Sequence, residues 1–103
     1  MATIYLIEGP VGAGKSTYAT ALSQKVNAPH FNLDAWMNQL FTPDRPMTNT
    51  MQWYLTRKER CIEQIWQCAL QVLKTQSHVI LELGLIQLSA RQAMYQRIES
   101  TEH

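Results

Sequence analysis

Apolar residues are arranged in two ways along the chain. Three short runs are apolar without alternation: Thr3 to Glu8, His30 to Leu33 and His78 to Leu83. Unbroken apolarity with β-branched and aromatic residues is how a strand covered on both faces reads. Each run carries an acid at or beside its end: Glu8, Asp34 and Glu82. Elsewhere the apolar positions recur at helical spacing. Tyr18, Ala19, Leu22 and Val26 make one face of a helix that starts at Lys15 and stops at Asn27-Ala28-Pro29. Trp36, Met37, Leu40 and Phe41 mark a short helix over 35–41, with Asp34 suited to its N-cap. Two prolines hold open the turn Thr42-Pro43-Asp44-Arg45-Pro46. A long helix follows from about Thr48 to Lys74. Its apolar stripe is Met51, Leu55, Ile62, Ile65, Ala69 and Val72, and its wet side Arg57, Lys58, Arg60 and Gln64. Ser89-Ala90-Arg91-Gln92 has the form of a capping box that opens a last helix to about Ser100.

Strands alternating with helices in the order β-α-β-α-α-β-α predict an α/β fold: a parallel sheet with helices on both faces, in three layers. The 103 residues show no repeat, linker or low-complexity segment, so one domain over 1–103 is expected. With 46% hydrophobic and 17% charged residues the chain is not disordered in character. A net charge of +1 gives no broad basic field, so neither nucleic acid nor an anionic membrane is an expected partner. No apolar run reaches the roughly 18 residues of a spanning helix. The first residues lack the basic segment of a signal peptide. Cys61 and Cys68 lie on one predicted helix face about 10 Å apart, too far for a bridge. They read as reduced, half-buried thiols of a cytoplasmic protein.

The segment that carries chemistry is Gly9-Pro10-Val11-Gly12-Ala13-Gly14-Lys15-Ser16-Thr17, which fills GxxxxGK[ST] at every fixed position. It follows a buried strand and opens a helix, as phosphate binding demands. The glycines keep Cβ atoms away from a phosphate, successive N–H groups form an anion nest, and the helix points its positive end at it. Lys15 stands where an ammonium reaches the β- and γ-phosphates, and Ser16 where a hydroxyl reaches Mg²⁺.

Residues 1–20 resemble the Walker A region of the P-loop NTPases. The short spacing from Lys15 to Asp34, then a helix, then His78–Glu82, resembles the small P-loop kinases. Shikimate and gluconate kinases, chloramphenicol phosphotransferase, zeta toxins and small AAA-domain ATPases belong to that group. The resemblance to the last is the nearest: Glu82, Gly84 and Arg91 follow their order of strand acid, glycine and arginine-bearing helix. It extends over essentially the whole chain, and its specific part is the Walker A segment. It implies ATP and Mg²⁺ as cofactors, and phosphoryl transfer to a small hydroxylated acceptor. A nucleotide-binding ATPase or regulatory module, or a fragment without turnover, are the alternatives.

The resemblance also assigns roles. Asp34 falls where that group places an Asp that orients or deprotonates the acceptor hydroxyl, often within a DxD pair. The first member here is Asn32, which carries no charge. A plain N-cap is the other reading of Asp34, and the two can coexist. Glu82 resembles the Walker B acid that holds Mg²⁺, where relatives more often carry the shorter Asp; a solvent-facing strand end is the alternative. Arg57 stands where the group uses an Arg to hold an acceptor, against a solvated helix face. Glu8 reads as structural, His30 and His78 as lone strand-side residues, and Trp36, Trp53 and Trp66 as core, with the lining of an acceptor pocket as the alternative. No His/Cys/Asp spacing suggests zinc. Kinases of this group add two further strands, a lid and an adenine loop, for which the chain after Glu82 has no room. The sheet is therefore expected in the order β2-β3-β1 with the first strand at an open edge. The chain is expected to be a fragment of a longer kinase, or to form a homodimer through that edge.

Overall fold

The central strand runs from Val79 to Glu82, and all four of its residues are buried. The computed structural model describes residues 2–8, 14–85 and 88–101. In chain order its elements are β1 (Ile4–Ile7), α1 (Lys15–Val26), β2 (His30–Asn32), α2 (Leu33–Leu40), a single 3-10 turn (Thr42–Asp44), α3 (Thr50–Lys74), β3 (Val79–Glu82) and α4 (Leu88–Ser100). The sheet is parallel and its order is β1-β3-β2. Ile4 to Ile7 pair with Val79 to Glu82, and His30 to Asn32 with Ile80 to Glu82. The three strands thus finish level, with Ile7, Asn32 and Glu82 in one row.

Side chains alternate across the sheet, and each face has its own helices. Tyr5, Ile7 and Ile80 pack with Ala19, Leu22, Val26 and Ala28 on the α1 side. Ile4, Leu6, Val79 and Leu81 pack on the other side with Leu33 and Met37 of α2, Cys61, Ile65, Trp66, Ala69 and Leu73 of α3, and Met94 of α4. The result is the expected three-layer α/β/α arrangement. Full cover holds for β3 but not for β1, where only Ile4 is buried. Among the described residues β1 has a strand on one side only, and α1 brings it only small or half-exposed side chains; Tyr18 is exposed.

The predicted stripe on α3 is correct in its second half and wrong in its first. Ile65 and Ala69 are buried, whereas Met51 and Leu55 are 69% and 49% exposed. Length is the reason. Twenty-five residues of helix reach about 37 Å, and a strand of four residues spans only about 13 Å. The first turns of α3 overhang the sheet.

Two expected caps are also corrected. The N-cap of α2 is Asn32, whose Oδ1 accepts from the Ala35 N–H at 3.1 Å; Asp34 lies inside the first turn. Helix α4 begins at Leu88, so Ser89 is within it and is not its cap. Arg97 fastens α4 to α3. It donates to both carboxylate oxygens of Glu63, at 2.8 and 2.9 Å, and stacks on Trp66 at 5.0 Å. Both cysteines are free thiols, and burial pushes the Cys61 thiol up from its ordinary value. No helix among the described residues is long and apolar enough to cross a membrane.

Candidate functional site

Parallel strands all point their carboxyl ends the same way, so the level row at Ile7, Asn32 and Glu82 forms one rim. Open α/β sheets bind ligands at such a rim. Residues paired across a parallel ladder share a face, which places His30, Asn32, Ile80 and Glu82 on the α1 side. Helix α1 brings its N-terminus to that same side. Gly14, at φ 78, makes the sharp entry that a Cβ would strain. Its carbonyl accepts the N–H of Tyr18 at 3.0 Å and starts the helix.

Glu82 is the buried acid of the site, 7% exposed, which overturns the solvent-facing reading. A buried carboxylate needs partners, and it has two. Ser16 Oγ donates to Oε2 at 2.8 Å, and His30 Nε2 meets Oε1 at 3.0 Å. An ionised carboxylate only accepts, so the imidazole N–H donates. Lys15, one residue before Ser16, lines a cavity of about 460 Å³ with Tyr5, Leu6, Ile7, Glu8, Gly14, Tyr18 and Leu22. A larger groove of about 550 Å³ runs along the overhanging turns of α3 and holds none of the strand-end acids.

Glu8 ends β1 but turns the other way. Its Oε2 accepts the Tyr95 hydroxyl of α4 at 2.5 Å, and that bond holds the phenol above its ordinary pKa. Its Oε1 is buried and has no partner among the described residues. Asp34 is exposed in the first turn of α2, two residues beyond the row. Tyr54 of α3 feels it: burial first, and then the Asp34 charge, push the Tyr54 phenol upward. Arg57, one turn further along α3, stacks on the indole of Trp53 at 4.9 Å.

Of the sequence-predicted site, Ser16 and Glu82 are in contact, Lys15 precedes Ser16 on α1 but lines the separate cavity beside β1, and Asp34 lies at the same end of the sheet. Thr17 is exposed on α1. Gly9, Pro10, Val11, Gly12 and Ala13 lie outside the described residues. Two residues were missed. His30, read as a lone histidine, is a partner of Glu82, and Tyr54 is the neighbour of Asp34. Their signal lay in the strand register and the α2–α3 packing, which no local pattern displays. His78 keeps a structural place: its Nδ1 accepts the N–H of Thr3 at 2.9 Å.

Mg²⁺ takes oxygen donors and keeps several waters, so it needs few protein ligands. A serine hydroxyl against a buried carboxylate, at a helix N-terminus beside a lysine, is a donor set that fits it. Among the described residues no group of three or more His, Cys, Asp or Glu stands together as a softer metal would want.

A family model described as an AAA domain matches residues 4–103. No curated protein matches the chain, and no solved structure does.

Proposed function

We propose that this chain, which belongs to the AAA domain family, binds ATP with Mg²⁺ and transfers the γ-phosphoryl group to a small hydroxylated acceptor. The observation that carries the reading is the 2.8 Å bond between Ser16, the serine of the phosphate-loop motif, and the buried strand-end acid Glu82. It joins the serine of the sequence motif to a strand-end acid, the pair of groups that Mg-nucleotide chemistry uses. In this reading Gly9 to Thr17 cradle the phosphates and Lys15 neutralises the charge that builds on them. Ser16 and Glu82 hold Mg²⁺, which when bound draws negative charge from the phosphate oxygens. Asp34 takes the acceptor's hydroxyl proton as its oxygen bonds to the γ-phosphorus, the β–γ bridge breaks and ADP leaves. Exposure of Asp34 at the rim, beside the half-buried Tyr54, supports an acceptor reaching it from solvent. Arg57 binds the acceptor from α3.

The competing reading is a hydrolase in which Glu82 activates water. Both oxygens of Glu82 are already engaged, which favours a holding role over a base. Phosphate transfer from [γ-³²P]ATP to a panel of small alcohols tests the proposal. Asp34→Ala should abolish transfer and leave ATP binding intact. Equal loss of both would remove Asp34 from catalysis, and hydrolysis that ignores every acceptor and vanishes in Glu82→Gln would establish the hydrolase instead.

A further inference from the structure

We propose that His30 is a positioning residue that fixes Glu82 for Mg²⁺-nucleotide; the inference rests on the nucleotide reading above. A glutamate has one more rotatable bond than an aspartate. At a strand end its carboxylate can swing, and a ligand group that swings gives up entropy on binding. Ser16 holds one oxygen only. The second contact, from His30 Nε2 to Oε1 at 3.0 Å, removes the remaining freedom. The pair is well sheltered, with side chains 17% and 8% exposed. The backbone makes the contact possible. His30 opens β2 opposite Ile80, on the face that carries Glu82 two residues on. An imidazole reaching along the sheet meets the glutamate as it reaches back. Outer partners that orient ligating carboxylates in this way tune metal affinity strongly.

Nothing else at this rim does the same work in the described residues. Asn32 is level with Glu82, but its side-chain oxygen is committed to the Ala35 N–H. His30 is therefore the group that sets the direction of the acid. Its contact is with Glu82, so in this reading its effect falls on what Mg²⁺ adds to nucleotide binding.

Two variants separate positioning from general stability. Gln carries an amide nitrogen at the reach of Nε2, whereas the amide of Asn stops a carbon short. Both are polar and suit the half-buried site. ATP is titrated calorimetrically into the full chain, once with EDTA and once with excess Mg²⁺. His30→Asn should lose about 10–100-fold of the affinity gained from Mg²⁺ and keep its EDTA affinity. His30→Gln should match the wild type in both. Introducing Glu82→Asp, which shortens the arm away from His30, should erase the difference between Gln and Asn at position 30. Gln and Asn variants that behave alike beside the native Glu82 would overturn the inference, as would parallel losses with EDTA and with Mg²⁺. A wild type that binds no ATP under either condition would remove the nucleotide reading itself, and this inference with it. That result is visible before any variant is made.

Discussion

Glu8 and Glu82 end neighbouring strands, yet they serve different parts of the molecule. Glu82 is level with Ile7, so Glu8 lies one residue further along. That single step turns its side chain to the opposite face. Glu82 points to α1, where it takes Ser16 and His30. Glu8 points to α4 and takes the Tyr95 hydroxyl. Two acids that look equivalent in the sequence thus hold different partners, the serine of α1 in one case and the tyrosine of α4 in the other. Glu8 also lines the Lys15 cavity, so the parity of its position decides which group it bonds rather than whether it stands at the rim.

The largest effect should come from Leu81, which is fully buried on the α4 side of the sheet. Leu81→Ala should cost about 2–5 kcal/mol in urea unfolding, and in a domain this small the loss should reach both faces. Lys15→Ala comes next. It removes a preorganised charge, so the rate of phosphoryl transfer should fall by roughly 10²–10³-fold with the melting temperature unchanged. The most direct comparison is Glu82→Gln against Glu8→Gln. The first should weaken Mg²⁺-dependent ATP binding by about 10–100-fold. The second, which keeps the size of a side chain at the edge of the Lys15 cavity, should weaken that binding far less and lower thermal stability through the changed Tyr95 contact. Equal effects on binding would dissolve the distinction between the two faces.

Two smaller effects concern titration. Burial, helped by the Asp34 charge, raises the Tyr54 phenol. Asp34→Asn should bring its ultraviolet titration part of the way down, leaving it above the ordinary 10.0 because burial remains. No movement would separate Tyr54 from Asp34. On the outer side of α4, the bond from Arg97 lowers the Glu63 carboxyl below 4.5. A lowered acid stabilises the fold above its unfolded value and loses that contribution as pH falls through the folded one. The pair is exposed, so Arg97→Gln should cost about 0.2–1 kcal/mol at neutral pH. The difference from wild type should narrow in acid unfolding curves to what the Arg97 stack on Trp66 contributes.

Much of this is legible in the sequence. The uninterrupted apolar runs gave the strands, the helical spacing between them the parallel order, and the GK[ST] segment the phosphate end of the sheet. Topology followed as expected, in the order β1-β3-β2. What the pattern misjudged has physical reasons. Asp34 and Asn32 are both good caps, and two residues of phase gave the cap to Asn32. Met51 and Leu55 continue a helical stripe, but the sheet beneath ends before they reach it. His30 has an unremarkable sequence context. Its importance comes from the register of β2 on β3, a contact spanning 52 residues of chain.

The central strand also provides its own gauge of the two edges. The Val79 N–H donates to Thr3 on the β1 side, and the Ile80 N–H to Pro29 on the β2 side, at 3.1 and 2.9 Å. Consecutive amides therefore watch different neighbours. Deuterium uptake read residue by residue along Val79–Glu82 would show which edge opens first, and whether ATP slows the two edges equally or only the one that carries His30.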